Sequence, residues 1–222
     1  MAIFMRAIKL IKSDFPVHYD KALEVMQSTV KKIQNGEDAQ MLWFLEHHDI
    51  YTAGTSANED DLLDNKGFPV YKTGRGGKHT YHGPGQRVVY VMLDLKVLHN
   101  GKPDLRKFVN QMEEWIIESI AAFGIKGERR KGRIGIWVIG KNGDECKIAA
   151  LGVRVEKWVS YHGIAINLNP KLENYSGIIP CGIKEFGVTS MLEEGVDISI
   201  KELDKVLAEK FQRVFGVGLV NV

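Results

Sequence analysis

A glycine-rich loop that runs without a spacer into a continuously apolar segment constrains this chain more than any other feature. GRGGKHTYHGPGQ, residues 74–86, holds five glycines, a proline, two histidines and an arginine, and RVVYVMLDL, residues 87–95, follows at once. An unbroken apolar run rich in β-branched residues predicts a strand buried on both faces, hence a central strand of a covered sheet. Glycines at the mouth of such a strand let backbone N–H groups come close to a ligand, and Arg75 and the histidines can add polar contacts. Two familiar glycine motifs are absent. A phosphate-binding loop needs Ser or Thr after Gly77-Lys78, where His79 stands, and its first glycine would fall on Lys72. A dinucleotide fingerprint starting at Gly74 and Gly76 would need its third glycine at His79, and both motifs precede a helix, not a strand.

The remaining pattern interleaves helices and strands. Ala22, Val25, Met26, Val30 and Ile33 recur at three and four between Tyr19 and Asn35, with Gly36 as a stop, which predicts an amphipathic helix. Met41 to Glu46 reads as a short buried strand, and IYTAG follows it. Pro103 is placed to open a second helix, with Leu105, Phe108, Val109, Met112, Ile116, Ile120 and Phe123 as its buried stripe and Gly124 as its end. IGIWVIG and CKIAALGVRVEKW flank the turn signal Asn142-Gly143 and predict an antiparallel pair. YHGIAINLN alternates Ile164, Ile166 and Leu168 with Ala165 and Asn167, as a half-buried strand does. Ser199 and Glu202 have capping-box spacing ahead of Leu203, Val206, Leu207, Phe211 and Val214, which share a helical face. Hairpins among alternating elements predict an α/β chain of the α+β type: one domain over residues 1–222, a mixed β-sheet backed by helices. No repeat or linker composition divides it.

Charge and cysteine usage narrow the function. A net charge of +2 does not by itself imply nucleic acid, so a basic patch would have to be local. Such a patch is KGERRKGR, where Lys126, Arg129, Arg130, Lys131 and Arg133 face a single Glu128. Two cysteines, Cys146 and Cys181, make neither a metal-type pair nor a disulfide framework, which suits a reducing compartment. The N-terminal MAIFMRAIKLIKSDF carries Arg6, Lys9 and Lys12 among its apolar residues and reads as neither a secretion signal nor a membrane span, so a cytoplasmic location and no membrane partner are expected. The seven histidines lack a cysteine pair or carboxylate-supported spacing, and no metal site is expected.

Two further segments carry chemistry-bearing residues. Lys147 leads the small-residue strand of CKIAALGVRV, and His162 leads the next strand. Cys181 lies between Pro180 and Gly182 in IIPCGI, ahead of GVTSM. By itself a cysteine among apolar neighbours is as readily inert packing as a nucleophile, and a lysine at a strand start is usually a solvated end.

Taken together, these segments resemble the lipoyl(octanoyl) transferase family. The family signature RGG-x-x-T-Y/W-H-G-P-G-Q matches Arg75, Gly76, Gly77, Thr80, Tyr81, His82, Gly83, Pro84, Gly85 and Gln86, and the likeness continues in KIAALGVRV, YHGIAIN and PCGI…GVTS. Glu46-His47 and Tyr51 to Gly54 resemble the upstream family segment, with His48-Asp49 where the family usually has two prolines. The resemblance covers roughly residues 40–192. It implies the catalytic fold of lipoate and biotin protein ligases. It also implies transfer of an octanoyl group from acyl carrier protein to the target lysine of a lipoyl domain, in 2-oxoacid dehydrogenase complexes or the glycine cleavage H protein. By the same match Cys181 is the expected acyl-thioester nucleophile and Lys147 its activating partner. Arg75, Gly76, Gly77, Lys78, His79, Thr80, Tyr81, His82, Ala150, Leu151, Gly152, His162, Gly163 and Ile164 are the expected substrate-binding residues.

The chemistry suits these residue types. A free thiol has a pKa of about 8.5, and a cation nearby raises the fraction of the reactive thiolate. Attack on a thioester regenerates a thioester, so no ATP or other cofactor is expected. Lys147 or a histidine could take the proton of the acceptor amine. Cys146 is one residue from Lys147, so along a strand it should face away from whatever Lys147 faces. The roles of His82 and His162, catalytic or structural, stay open from sequence. Two other readings stay open as well: an ATP-dependent ligase on the same scaffold, and a non-catalytic acyl-binding protein.

Overall fold

The computed structural model describes residues 7–179 and 186–222. Its strands are β1 (Ala7–Lys12), β2 (Met41–Leu45), β3 (Ile50–Ala53), β4 (Val70–Lys72), β5 (His79–His82), β6 (Gln86–Met92), β7 (Glu128–Arg130), β8 (Arg133–Ile139), β9 (Glu145–Glu156), β10 (Val159–Asn167), β11 (Gly187–Val188) and β12 (Gly218–Asn221). Among the described residues four α-helices accompany them: α1 (Tyr19–Asn35), α2 (Leu95–Leu98), α3 (Leu105–Ala121) and α4 (Ile200–Phe215). The main sheet runs β12-β1-β2-β6-β10-β9-β8-β7, with β11 pairing β9, and β4-β3-β5 form a small second sheet. The main sheet is mixed: β1 is parallel to β12 and β2, whereas β6 is antiparallel to both β2 and β10.

Helices cover both faces of this sheet. Ala22, Met26, Val30 and Ile33 of α1 pack with Trp43, Val88, Tyr90 and Ala165 on one side. Phe108, Trp115, Ile116 and Ile120 of α3 and Leu203, Leu207 and Phe211 of α4 pack with Leu42, Val89, Val91, Ile164 and Ile166 on the other. The odd and even positions of β6 and β10 therefore belong to different cores. This is why YHGIAINLN, which alternates like a half-buried strand, is buried along the whole of β10. The small sheet, invisible in the sequence pattern, holds the glycine-rich loop: β5 is its last strand, and β3 pairs it at Ile50↔His82 and Thr52↔Thr80.

Local signals set most helix ends. Gly36 closes α1 with φ 72°, its N–H donating to Ile33 O and Lys32 O. Ser199 and Glu202 form the capping box that starts α4. Two boundaries and one core assignment differ from the sequence reading. The strand from Arg87 stops at Met92, because the Asp94 carboxylate accepts from the Lys96 and Val97 N–H groups and caps α2. Asp104, not Pro103, caps α3 by accepting from Lys107 N–H. Leu105, 46 % exposed, lies outside the buried stripe because it occupies the first helical position.

Candidate active site

The glycine-rich loop closes over the middle of β9 and β10 and encloses a cavity of about 310 Å³. Its wall combines loop residues Arg75 to Thr80, His82 of β5, Lys147 and Ala150 to Val153 of β9, and His162 to Ala165 of β10. The loop can come this close to β9 because Gly152 has no side chain: a Cβ there would lie 3.2 Å from Gly76 O of the loop. Val88, Tyr90 and Ala165 line the cavity from the α1 side of the sheet, and Ile164, Leu151 and Val153 from the α3–α4 side. Val109 and Ile134 add further apolar wall. The interior is thus largely hydrocarbon, with its polar groups concentrated in the loop and the histidines.

Of the expected substrate-binding residues, Arg75, Gly76, Gly77, Lys78, His79, Thr80, His82, Ala150, Leu151, Gly152, His162, Gly163 and Ile164 all line this cavity. Tyr81 does not. Its side chain turns to the opposite side of the small sheet, packs with Tyr51, Tyr175 and Ile178, and donates a hydrogen bond to the Asp49 carboxylate. The alternation of side chains along β5 sends it there while Thr80 and His82 face the cavity. Tyr19, Val88, Tyr90, Val109, Gly132, Arg133, Ile134, Val153 and Ala165 also line the cavity, and the sequence reading missed them. Only Tyr90 had a usable signal, since it shares a strand face with Val88 at a spacing of two.

Arg75 is buried, and its guanidinium organises the loop. It donates to Thr52 Oγ1 and O at 2.7 Å each, to Lys78 O at 2.9 Å and to Gly76 O at 2.9 Å. A fixed cation beside an apolar cavity acts on the imidazoles around it. Burial is the main cause that holds His82 and His162 down at about 3, with smaller contributions from His47 and Arg75 for His82 and from Arg75 and Arg154 for His162. His79 is lowered by burial and by Arg75, against an opposing pull from Asp61. His47, beneath the site, is pushed down to about 4 by burial. The site therefore presents neutral imidazoles beside a permanent positive charge. Among the described residues, His162 Nε2 and His79 Nδ1 are buried and have no hydrogen-bond partner. His162 also sits at φ 56° in mid-strand, a conformation that costs a non-glycine residue free energy and that often accompanies function.

Lys147 is buried in the cavity wall, with its Nζ 5.7 Å from the centre of the Trp137 ring. The seat exists because Gly135 of β8, two residues from the Trp137 that pairs with Lys147, lies against the lysine side chain at φ 118°, where a Cβ would meet Lys147 Cε at 2.3 Å. The sequence reading of a lysine at a strand start as a solvated end does not hold here. Cys146 faces the other way. Its Sγ lies near Gly140 and Gly187, outside the cavity, and burial together with Glu194 and Asp144 pushes its thiol up. Cys181 lies outside the described residues. On its N-terminal side, Ile179 N–H donates to Asp61 O at 2.8 Å. On its C-terminal side, Phe186 packs on Trp137, and Gly187 and Val188 pair with Cys146 and Lys147.

The basic segment is largely neutralised. Arg129 pairs with Glu113 and Glu114, Arg130 with Glu128 and Glu145, Arg133 with Glu145, and Lys126 with Glu128. Helix α3 and strand β9 bring these carboxylates from distant sequence. Among the described residues no cluster of His, Cys, Asp or Glu could hold a metal ion, and no helix is long and apolar enough to cross a membrane.

A mixed sheet covered on both faces, with a glycine-rich loop over a largely apolar, lysine-bearing cavity, places the chain among α/β proteins that hold an apolar ligand beside polar groups. Residues 18–212 match the model of the lipoyl protein ligase A/B catalytic domain. The chain is 51% identical over 206 residues to an octanoyltransferase of Brucella melitensis, covering 89% of this chain and 77% of the relative. It is 49% identical over 209 residues to an octanoyltransferase of Parvibaculum lavamentivorans, covering 93% and 92%. In fold it is similar to the bi-partite lipoate protein ligase of Thermoplasma acidophilum, with a TM-score of 0.69 at 16% identity over 98% of this chain and 87% of that one. The chain belongs to the lipoyl protein ligase A/B catalytic-domain family, and it is an acyltransferase.

Proposed function

We propose that this enzyme moves an octanoyl group from octanoyl-acyl carrier protein onto Cys181 and from there to the target lysine of a lipoyl domain. Such domains occur in 2-oxoacid dehydrogenase complexes and the glycine cleavage H protein, and the reaction belongs in the cytoplasm. The observation that carries this reading is the cavity itself: hydrocarbon walls for an acyl chain, with Arg75, Lys147 and three histidines around its polar part. The octanoyltransferase relatives support the acyl identity. At about 0.8 kcal/mol per buried methylene, the six methylenes of the chain contribute up to about 5 kcal/mol of binding, enough to discriminate against much shorter acids.

The steps balance without a cofactor. The Cys181 thiolate attacks the donor thioester carbon, an S–C bond forms, and the carrier thiol leaves with a proton. The acceptor lysine amine then attacks the acyl-enzyme, a C–N bond forms, and the thiol is restored. Each intermediate stays activated as a thioester, so ATP is not consumed. Lys147, as a neutral amine, takes the thiol proton and, once protonated, pairs with the thiolate as its cation and returns the proton to the leaving thiol, a role favoured by its burial in the wall and by the pairing of Val188 with it.

Intact-mass analysis after incubation with octanoyl-acyl carrier protein tests the reading. Wild type and Cys146→Ala should each gain one octanoyl mass, removable by neutral hydroxylamine, and Cys181→Ala should gain none. A label that persists in Cys181→Ala refutes the nucleophile assignment. Release of pyrophosphate from ATP with free octanoate would point to ligase chemistry instead.

A further inference from the structure

One buried chain of hydrogen bonds settles a question that proton positions would otherwise leave open: which nitrogen of His82 carries the hydrogen. Gln86, 1 % exposed, sets its amide between His82 and three oxygens. Its Nε2 donates to Tyr81 O at 3.2 Å, Asn167 Oδ1 at 2.9 Å and the Tyr175 hydroxyl at 2.9 Å. A backbone carbonyl can only accept, so the group facing Tyr81 O must be the NH₂ and not the carbonyl of the amide. Asn167 is fixed independently by the same logic, because its Nδ2 faces the Thr189 carbonyl at 2.9 Å. Its Oδ1 is therefore the atom turned to Gln86, and it also accepts from Tyr175 at 3.0 Å. A flipped Gln86 would put its oxygen against both Tyr81 O and Asn167 Oδ1.

The remaining Gln86 atom, Oε1, lies 2.6 Å from His82 Nδ1. Oε1 has no hydrogen to give, so Nδ1 must carry one. Neutral His82 then has its lone pair on Nε2, and His82 lines the cavity. His47 shows the contrasting case. Its Nδ1 donates to Val17 O at 2.7 Å and its Nε2 accepts from the Tyr90 hydroxyl at 2.6 Å, so both of its valences are used by the protein. The relay also reaches the other side of the site, since Thr189, which orients Asn167, donates its N–H to Lys147 O at 3.0 Å.

We propose that Gln86, oriented by Asn167 and the Tyr81 carbonyl, is a positioning residue that holds His82 in its Nδ1–H form so that Nε2 accepts a hydrogen bond from the attacking lysine amine. This rests on the acyl-transfer reading above. The hydrogen bond orients the amine and takes up positive charge as it develops on the attacking nitrogen. As the C–N bond forms and the C–S bond breaks, the proton lost from nitrogen ends on the departing sulfur, and His82 finishes neutral. The charged and titratable groups that act most on the ring are His47, His162 and Arg75, and all three lower its pKa; the Glu46 carboxylate, which accepts from Gly85 N–H, is not among them.

The test begins on the intact wild-type protein, labelled with ¹⁵N-histidine and read by long-range proton–nitrogen NMR, with His82 assigned through His82→Gln. The expected spectrum shows hydrogen on Nδ1 and none on Nε2. A proton on Nε2 overturns the proposal before any variant is made. Gln86→Met, which keeps the shape but removes the acceptor, should lose the fixed tautomer. It should slow single-turnover transfer from preloaded acyl-enzyme to a lysine acceptor about tenfold, with acceptor half-saturation unchanged. Gln86→Glu should keep the Nδ1 hydrogen and move the acid limb of the transfer rate to higher pH, because a carboxylate beside the ring favours the imidazolium. Unchanged transfer in Gln86→Met overturns the positioning role. If wild type forms no acyl-enzyme, the thioester reading fails and the role in aminolysis fails with it, while the NMR result separately decides the tautomer.

Discussion

Acidification should unfold this protein well before its carboxylates titrate, because its core is built on histidines that must stay neutral. His47 is held at about 4, and His82 and His162 at about 3, each chiefly by burial, against 6.5 for an unperturbed imidazole. A base whose folded pKa is depressed binds fewer protons folded than unfolded. Its contribution is complete above the unfolded pKa and is lost as pH falls from about 6.5 toward the folded value. Between pH 7 and pH 5 each such histidine should cost about 2 kcal/mol, and the three together about 6 kcal/mol. That is comparable to the whole stability of a typical domain, roughly 5–15 kcal/mol. His79, also lowered by burial, acts in the same direction. Urea unfolding followed by far-UV circular dichroism at half-unit steps between pH 7 and pH 5 measures the slope. His47→Gln should remove about a third of it, whatever its effect on stability at pH 7. A stability that changes by less than about 1 kcal/mol over this range would refute the argument that the three imidazoles are neutral in the folded state.

Three other perturbations have defined outcomes. Gly135→Ala should displace Lys147, since the new methyl would fall 2.3 Å from its Cε, and acyl-enzyme formation should drop toward the rate of Lys147→Ala; wild-type rates in Gly135→Ala would show that the seat is not needed. Asp204→Ala strands the buried Arg87 guanidinium, which now makes two hydrogen bonds to that carboxylate, and should cost about 3–5 kcal/mol in chemical denaturation, whereas a loss below about 1 kcal/mol would count against it. Arg129→Glu with Arg130→Glu should lower the thermal midpoint but leave the half-saturation for octanoyl-acyl carrier protein unchanged at low salt, because both arginines already serve carboxylates of this chain; a weakened donor interaction would instead assign the segment to donor docking.

The sequence alone determined the inventory of chemistry. The helix from Tyr19 to Asn35, the capping box at Ser199, the Asn142-Gly143 hairpin and the glycine loop entering a buried strand are local signals, legible because periodicity and capping act within a few residues. The motif residues were legible for the same reason, and all but Tyr81 of the expected substrate-binding set meet at one cavity. What no local pattern could encode is which groups face one another across the fold. Covering β10 on both faces takes α1 from the start of the chain and α3 and α4 from its second half. The basic segment reads as a patch until α3 and β9 bring Glu113, Glu114 and Glu145 to it. Above all, the protonation of His82 depends on Asn167, whose bond to Gln86 spans 81 residues of chain. Hydrogen bonds and desolvation act through distance in space, and only tertiary packing sets that distance.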